Sequence, residues 1–282
     1  MIVVTGATGQ LGRLVIQSLL KKVPASGIVA AVRNVEKAKD LAAMGIQVRQ
    51  ADYNQPESWD NALQGADKVL LISSSEIGQR AKQHQNVIDA AKRTGVKLLA
   101  YTSVLHADTS VLGLAGEHKE TEAAIRASGL PFVFLRNGWY TENYATGIPT
   151  ALALGALYGC AGDGRISSAA RADYAEAAAV VLTSDNQTGK TYELAGDSAY
   201  TLSEFAAEIS RQAGRAIGYV NLPEAEYKKA LLGAGLPEFL AELLANSDTG
   251  VSKGALFDDG RQLSKLIDRP TTPLKKTVET AL

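Results

Sequence analysis

Three glycines near the start of the chain have the spacing of a phosphate-binding turn. Gly6, Gly9 and Gly12 lie between an apolar run and a helical pattern. In such a turn the first glycine permits the bend, the second lets the backbone approach a pyrophosphate, and the third lets the helix pack on the strand. The helix N-terminus then presents free N–H groups to the anion. Five residues are predicted to bind a dinucleotide here: Gly6, Thr8, Gly9, Gln10 and Leu11. The alternative is a tight turn without a ligand.

The residue that ends the second apolar run predicts which dinucleotide binds. Ile28–Val32 is followed by Arg33, where an NAD site usually has an acid for the ribose 2′-hydroxyl. Arginine instead offers a planar set of donors that fits a 2′-phosphate. Lys37 lies about one helical turn beyond and adds positive charge. We therefore predict NADPH rather than NADH, against the alternative that Arg33 is only a solvated residue at a strand end.

Polar side chains also follow the third and fourth apolar runs. Asp52 either accepts from an adenine amino group or caps the next turn. Ser73, Ser74 and Ser75 follow the fourth run, at the carboxyl edge where parallel sheets bind ligands. These small residues either let the cofactor lie close or cap the next helix. All four residues are predicted as cofactor contacts.

The elements that position these residues alternate between apolar runs and helical patterns. The runs are Ile2–Thr5, Ile28–Val32, Gln47–Gln50, Lys68–Ile72, Leu98–Thr102 and Phe132–Leu135. The helical patterns between them are Gln10–Lys22, Glu36–Ala43, Gln79–Arg93 and Glu117–Ser128. This alternation predicts buried parallel strands with helices on both faces. The predicted fold class is α/β, a Rossmann-type doubly wound parallel sheet with a smaller C-terminal α/β lobe.

The pattern changes after about Trp139, where glycine, alanine and short elements dominate. We predict an NADP-binding Rossmann domain over residues 1–138 and a smaller substrate-side lobe over 139–282 that closes over the cofactor. The segment around 165–184 is expected to pack back on the first domain. Within the second half, Thr201 and Glu204 form a capping-box signature before a helix over Leu202–Ala213.

Composition and charge exclude several classes of protein. The 282 residues carry a net charge of −1, which disfavours nucleic-acid binding. The single cysteine, Cys160, lacks a neighbouring base and is expected to be inert. Three histidines without ligand spacing predict no metal site. With no apolar run of about 20 residues and no basic leader, we expect no membrane span, no signal peptide and a cytoplasmic location.

Several segments carry a resemblance to a known family. The glycine turn, Tyr101-Thr102-Ser103 and residues 135–143 resemble the NmrA-like group of atypical short-chain dehydrogenase/reductases, and the likeness covers nearly the whole chain. Within that group, residues 72–76, 107–110, 193–198 and 252–254 resemble the bacterial type 2 NAD(P)H:quinone oxidoreductases, whereas 21–26 and 52–56 resemble triphenylmethane reductases. The first likeness includes the loop after the fourth run, so we give it more weight. It implies NADPH-dependent reduction of a quinone by direct hydride transfer, without flavin or metal.

One departure from the superfamily concerns the proton donor. The Tyr and Lys that this superfamily usually carries at a YxxxK spacing are missing from the chain. If Glu122 takes the glutamate position of the related KxxxE pattern, His118 stands at the lysine position and Leu114 at the tyrosine position, while Lys119 is out of register. Quinone reduction tolerates this loss because aromatisation stabilises the product anion and water can protonate it. His118 is therefore either a catalytic candidate or a helix-start residue facing solvent or a backbone carbonyl.

The resemblance places residues 137–143 beside the nicotinamide. It implies that Asn137 contacts the cofactor. Tyr140 either stacks on a flat substrate or donates to its oxygen, or it packs at the domain interface, which is the role that we favour for Trp139. Arg171 either reaches the cofactor or the cleft, or pairs with Asp173. Two other functions stay open, a reductase of triphenylmethane dyes and a non-catalytic NADP-sensing regulator. The expected partner is a small-molecule quinone, and a homodimer is one option for assembly.

Overall fold

The computed structural model describes all residues from 1 to 282. Its nine strands are β1 (Ile2–Val4), β2 (Ile28–Val32), β3 (Gln47–Gln50), β4 (Lys68–Leu71), β5 (Leu98–Val104), β6 (Phe132–Asn137), β7 (Ala156–Gly159), β8 (Thr191–Leu194) and β9 (Gly218–Asn221). Its thirteen α-helices are α1 (Gln10–Leu20), α2 (Lys39–Ala43), α3 (Ser58–Ala62), α4 (Arg80–Arg93), α5 (Ala115–Ser128), α6 (Thr141–Ala145), α7 (Ile148–Leu154), α8 (Arg171–Thr183), α9 (Leu202–Ala213), α10 (Glu224–Gly233), α11 (Glu238–Ser252), α12 (Gln262–Ile267) and α13 (Leu274–Ala281). None of these helices is long and apolar enough to cross a membrane.

Seven of the strands form one sheet in the order β3-β2-β1-β4-β5-β6-β8. Ile2 of β1 lies opposite Ile28 of β2 on one side and Lys68 of β4 on the other, in parallel register. Every residue of β2 and β5 is buried, which explains why these strands have no alternating pattern. The predicted α/β class and doubly wound parallel sheet are confirmed. The order reverses between β1 and β4, and sheets of this type bind ligands beside such a reversal.

Large aromatic side chains fill the core on one face of this sheet. Trp59, Tyr101 and Phe134 are fully buried there. The ring of Tyr53 stacks on Trp59 with centroids 5.3 Å apart. Burying a side chain of this size stabilises the fold by roughly 1.5–3 kcal/mol. This packing fixes the end of β3, where the chain passes from Asp52 to α3.

The chain divides into two compact units. Unit 1 comprises Met1–Ala107, Gly116–Asn137 and Ala172–Tyr192, and unit 2 comprises Asp108–Ala115, Gly138–Arg171 and Glu193–Leu282. Within unit 1, Lys68 Nζ donates to the carbonyl oxygens of Leu182 (2.8 Å) and Ser184 (3.2 Å). A cation at these carbonyls stabilises the C-terminal end of α8, because helix C-termini carry partial negative charge.

Unit 2 contains a second, two-stranded parallel sheet of β7 and β9. Its helix α9 begins with the predicted capping box, in which Thr201 Oγ1 accepts from the Glu204 N–H and Glu204 accepts from the Thr201 N–H. The predicted bounds of α9 are confirmed.

Several predicted element ends were wrong by one or two residues. The first helix ends at Leu20 rather than Lys22, and the fifth strand continues to Val104 rather than Thr102. The fifth helix starts at Ala115 rather than Glu117. The short helix α3 was not predicted, because five residues without a capping side chain carry almost no periodic signal.

Candidate functional site

The glycine turn joins β1 to α1 in the geometry that a phosphate-binding loop needs. Gly6 has φ of +56°, a left-handed conformation that side chains other than glycine rarely adopt. The Gly9 N–H donates to the Gly6 carbonyl oxygen at 2.9 Å and closes the turn. A Cβ added to Gly12 would lie 2.5 Å from that same oxygen and 2.7 Å from Ala7 Cα. The turn and the helix therefore approach each other more closely than any side chain at Gly12 allows.

The N-terminus of α1 is suited to an anion. Gly9 is the N-cap residue, no side chain caps the helix, and its first turn contains no acid. The first N–H groups of a helix have no intrahelical acceptor, so those of Gln10 and Leu11 remain as donors for a ligand. The helix dipole adds partial positive charge at the same end. These features fit a dinucleotide pyrophosphate.

A cavity of about 370 Å³ opens beside this turn in unit 1. Ten residues predicted as cofactor contacts line it: Gly6, Thr8, Gly9, Gln10, Leu11, Arg33, Asp52, Ser73, Ser74 and Ser75. The structure thus brings together the ends of β1, β2, β3 and β4 around one space. Seven further residues complete the lining: Gly12, Ala31, Ala51, Tyr53, Trp59, Ile72 and Glu76.

Tyr53 joins three strand ends below the glycine turn. Its hydroxyl donates to the Ile72 carbonyl oxygen at 2.7 Å and lies 2.6 Å from Thr5 Oγ1. Thr5 Oγ1 in turn accepts from the Ile72 N–H at 2.9 Å. Burial raises the pKa of Tyr53 well above its usual value, so the phenol stays protonated as a donor. The sequence prediction did not include Tyr53, although it directly follows Asp52.

Asp52 takes the capping role, one of the two that the sequence left open. Its Oδ1 accepts from the Asn54 N–H at 2.9 Å, which caps the turn after β3. Its own N–H donates to Ser58 Oγ at 3.0 Å, and its carbonyl oxygen accepts from Trp59 Nε1 at 2.8 Å. The residue nevertheless lines the cavity. Its carboxylate is therefore held at the cavity wall by the turn that it caps.

The serine loop after β4 is held in place by hydrogen bonds to strand β5 and helix α4. The Ser73 N–H donates to Thr102 Oγ1 at 2.8 Å, and the Ser74 N–H donates to His84 Nε2 at 2.9 Å. Arg80 Nε donates to the Ser74 carbonyl oxygen at 2.7 Å. Since His84 Nε2 accepts, this histidine is neutral. Burial, with the charge of Arg80, lowers the pKa of His84 to about 3.

His118 is buried rather than exposed to solvent, so the expectation of a solvent-facing residue was wrong. Its Nδ1 lies 2.7 Å from the Tyr101 hydroxyl. Burial lowers the pKa of His118 well below its usual value. It is absent from the lining of the cavity, and Lys119 beside it is exposed.

Glu122 holds a buried ion pair in unit 1. It accepts two hydrogen bonds from Arg136, at 2.8 and 2.7 Å, and one from Ser103 Oγ at 2.7 Å. Arg126 adds a contact at 3.2 Å. Glu122, the glutamate of the predicted KxxxE pattern, therefore links α5 to β5 and β6 through these hydrogen bonds.

Tyr140, predicted to contact the substrate, and Arg171, predicted to contact the cofactor, lie in unit 2, whereas the predicted cofactor contact Asn137 ends β6 in unit 1. The guanidinium of Arg171 lies over the ring of Tyr140, 4.6 Å from its centroid. Arg171 Nη2 donates to Asn143 Oδ1 at 3.3 Å, and its N–H donates to the Glu142 carboxylate. Neither Asn137 nor Arg171 is among the residues that line the cavity of unit 1.

Unit 2 also contains a buried acid that the sequence did not reveal. Asp248 on α11 accepts from the Tyr144 hydroxyl and from the Cys160 N–H, both at 3.0 Å. Burial raises the pKa of Asp248 to about 6 and that of the Cys160 thiol to about 11. This agrees with the expected inertness of Cys160. No group of three or more histidine, cysteine, aspartate or glutamate side chains is arranged to hold a metal ion.

A model of the NAD(P)H-binding family matches residues 6–185, which is more than half of the chain and contains every residue of the cavity. The chain belongs to this NAD(P)H-binding family. The match begins at the first glycine of the turn, in agreement with the dinucleotide prediction.

Known members are similar to this NAD(P)H-binding protein along its whole length. Quinone oxidoreductase 2 of Escherichia coli K12 is 60% identical over 278 residues, which cover 99% of this chain and 97% of that protein. A crystal structure of the NADPH-dependent quinone oxidoreductase of E. coli, complexed with NADPH, has a TM-score of 0.98 and covers 99% of each chain. The triphenylmethane reductase of Citrobacter sp., complexed with NADP(H), is 44% identical, with a TM-score of 0.97 and full coverage of both chains.

The predicted NmrA-like resemblance is also confirmed. An NmrA-like family domain-containing oxidoreductase of Aspergillus flavus is 27% identical over 226 residues, which cover 76% of this chain and 72% of that protein. The sequence prediction put Leu114 and His118 at the positions of the superfamily's usual acid and lysine. Neither residue lines the cavity.

Proposed function

We propose that this protein is an NADPH-dependent quinone reductase that needs neither flavin nor metal. The observation that carries the proposal is the 60% identity to E. coli quinone oxidoreductase 2 across 99% of the chain. The bound nicotinamide supplies a hydride, and the chain's own residues hold the cofactor and orient the acceptor.

The cofactor-holding residues are proposed from the cavity of unit 1. The N–H groups of Gln10 and Leu11 bind the pyrophosphate, for which the uncapped start of α1 leaves them available. Arg33 binds the 2′-phosphate, because it supplies the cationic side chain of the cavity lining. Asp52 and the serine loop 73–75 also line the cavity, and they accept hydrogen bonds from the adenosine or donate hydrogen bonds to it.

The substrate-side residues are proposed from the segment that follows β6 and from the lobe over 139–282. Tyr140 offers an aromatic face and a hydroxyl donor, which suit a flat acceptor with two carbonyl oxygens. Arg171 supports this role by packing its guanidinium over the Tyr140 ring at 4.6 Å, an arrangement that fixes the ring plane. Asn137 and Arg171 remain proposals as cofactor contacts.

No dedicated proton donor is proposed. His118 is buried against Tyr101, and Glu122 is engaged by Arg136 and Ser103, so both of these α5 side chains are used by the fold. Hydride addition to a quinone gives a phenolate-type anion that water protonates, whereas an alkoxide from a simple ketone needs a positioned acid. The absence of the YxxxK pair therefore favours quinones over ketones.

A second candidate is a reductase of triphenylmethane dyes. It is supported by the 44% identity and the TM-score of 0.97 to the Citrobacter enzyme. Such dyes are propeller-shaped cations, whereas quinones are flat and neutral, so the two substrates differ in both charge and shape.

The deciding experiment measures NADPH oxidation by the purified protein with no flavin added, in parallel with a simple quinone, with a cationic triphenylmethane dye and with neither. We expect turnover with the quinone that exceeds turnover with the dye, and none without an acceptor. Faster dye reduction would favour the second candidate. NADPH binding without turnover on either acceptor would indicate a cofactor-sensing regulator. The Arg33→Ala variant serves as the control that activity arises from this cofactor site.

Assembly and location are proposed separately. A homodimer is tested by light scattering at several protein concentrations. A cytoplasmic location is supported by the single cysteine, Cys160, which is a buried free thiol and suits a reducing compartment.

A further inference from the structure

Three charged side chains line the cavity of unit 1, and two of them form an ion pair. Arg33 Nη1 lies 3.6 Å from Glu76 Oε1. Both side chains reach solvent, with exposed fractions of 72% for Arg33 and 46% for Glu76. The third, Asp52, is engaged by the Asn54 N–H. Arg33, the proposed 2′-phosphate ligand, thus already has an anionic partner within the site.

Glu76 is held in place from the interior. Its Oε2 accepts from Gln83 Nε2 at 2.7 Å, and its N–H donates to Ser74 Oγ at 3.2 Å. Gln83 is only 1% exposed and also donates to Asn54 Oδ1 at 3.1 Å. One carboxylate oxygen of Glu76 is therefore anchored by a buried amide, while the other faces Arg33. This arrangement keeps a negative charge at the point where a second anion would bind the arginine.

We infer that Glu76 limits the preference of this site for NADPH over NADH, as the resident counterion of Arg33 that a 2′-phosphate must displace. The inference rests on the proposed NADPH site. When the ribose carries only a 2′-hydroxyl, the Arg33–Glu76 pair stays intact and Arg33 needs no other partner. When the ribose carries a 2′-phosphate, Arg33 exchanges a carboxylate for the phosphate, and two anions then lie side by side. Glu76 therefore weakens the preference for NADPH that Arg33 creates.

The size of the effect follows from the exposure of the pair. Exposed ion pairs contribute little because water screens them, so the displacement is unfavourable but small. We expect Glu76→Gln to bind the 2′-phosphorylated ligand about twofold to fivefold more tightly. The glutamine keeps an oxygen that accepts from Gln83, so the loop should remain in place. Binding of a ligand without the 2′-phosphate should stay unchanged.

The test is calorimetric titration of the full chain with adenosine 2′,5′-bisphosphate and with adenosine 5′-monophosphate, followed by NADPH and NADH. The matched control is Glu36→Gln, which removes the same charge from an exposed residue that pairs with Lys39 and does not line the cavity. We expect tighter binding of the bisphosphate by Glu76→Gln and no change by Glu36→Gln. In an Arg33→Ala background, the gain from Glu76→Gln should shrink.

Three outcomes overturn the inference. The first is unchanged or weaker bisphosphate binding by Glu76→Gln with an unaltered thermal unfolding temperature. The second is an equal gain in bisphosphate affinity from Glu36→Gln. The third is a gain in bisphosphate affinity from Glu76→Gln that persists in full in the Arg33→Ala background. Failure of the proposed NADPH site is distinguishable from all of these, because the wild-type protein would then bind neither NADPH nor the bisphosphate, and failure of the proposed reductase activity would show as NADPH binding without turnover.

Discussion

The Tyr101 hydroxyl lies 2.7 Å from His118 Nδ1, and both side chains are buried in unit 1. The bond joins the middle of β5 to the first turn of α5. It holds His118, the residue predicted at the superfamily's lysine position, in the core, and this burial determines what removal of the side chain should do.

We expect His118→Gln to lower stability and to preserve catalysis. Loss or weakening of a buried hydrogen bond costs roughly 1–3 kcal/mol of the free energy of unfolding. General acid catalysis is typically worth about 10²- to 10⁴-fold in rate, so a true acid would be evident. Thermal unfolding and kcat for a quinone are the two measurements, with the exposed neighbour Lys119→Gln as the control. A fall in kcat of about 100-fold with the fold intact would assign the acid role to His118.

The pH dependence of stability should reveal Asp248. Burial raises the pKa of this carboxyl to about 6, compared with about 4 in an unfolded chain, so the folded state binds the proton more tightly. Stability from this group is therefore present at low pH and is lost as pH rises from about 4 through 6. Asp248→Asn should raise the free energy of unfolding by about 1–3 kcal/mol at about pH 7 and change it little near pH 4.

The control for Asp248→Asn is the wild-type chain at each pH. His84 has its pKa lowered to about 3, so its contribution has the opposite sign, being present above about pH 6.5 and lost as pH falls. This contribution is shared by both proteins and cancels in the difference between them. An equal gain at both pH values would show that the fold does not raise the pKa of Asp248.

Arg33→Ala should reduce NADPH affinity selectively. A charged hydrogen bond contributes roughly 1.5–3 kcal/mol, and the high exposure of Arg33 places the effect at the lower end, about 10-fold in affinity. NADH binding should be nearly unchanged. Lys37→Ala removes a positive charge close in sequence that does not line the cavity, and it should have a smaller effect. Calorimetry with both cofactors makes the comparison. Equal losses for NADPH and NADH would exclude Arg33 as the reader of the 2′-phosphate.

Substitutions of two glycines should separate binding from folding. A Cβ on Gly9 would lie 3.1 Å from the Gly6 carbonyl oxygen, a contact that a small shift relieves, so Gly9→Val should fold but obstruct the pyrophosphate. A Cβ on Gly12 would lie 2.5 Å from the same oxygen, so Gly12→Ala should lower the unfolding temperature. Calorimetry and thermal unfolding of both variants provide the test. NADPH affinity retained by Gly9→Val would contradict the phosphate-loop assignment.

Tyr140 variants should affect the quinone rather than the cofactor. Tyr140→Phe removes only the hydroxyl and should cost about 1 kcal/mol, or about fivefold in kcat/KM, if that group bonds a quinone oxygen. Tyr140→Ala also removes the ring over which Arg171 packs and should raise KM for quinone further. Steady-state kinetics with both substrates varied distinguishes the roles. An unchanged quinone KM together with weaker NADPH binding would move Tyr140 to the cofactor site.

Much of the cofactor cavity could be predicted because it depends on local sequence. Glycine spacing, the type of residue that ends β2 and the serines after β4 are each visible within a few residues. Glu76 was missed although it follows Ser75 directly, because its significance arises from its distance to Arg33. Such a pairing depends on tertiary structure and has no counterpart in spacing along the chain.

The burial of α5 shows a second limit of sequence patterns. The buried residues of this helix include His118, Thr121, Glu122 and Ile125, which follow helical spacing. Three of the four are polar, so the inward face has no apolar periodicity to indicate it. No apolar periodicity therefore indicates that His118 lies in the core or that Glu122 bonds Arg136.

The discontinuity of unit 1 has a consequence for the order in which the protein can fold during its synthesis. The outer edge of β6 pairs with residues that follow much later, since the Phe134 N–H donates to the Lys190 carbonyl oxygen and the Gly189 N–H to that of Phe132. A nascent chain that has reached Asn137 therefore exposes β6 as an open edge while the ribosome adds the whole of 138–188. Open edges invite pairing with other chains, so this interval is when the protein is most prone to aggregate.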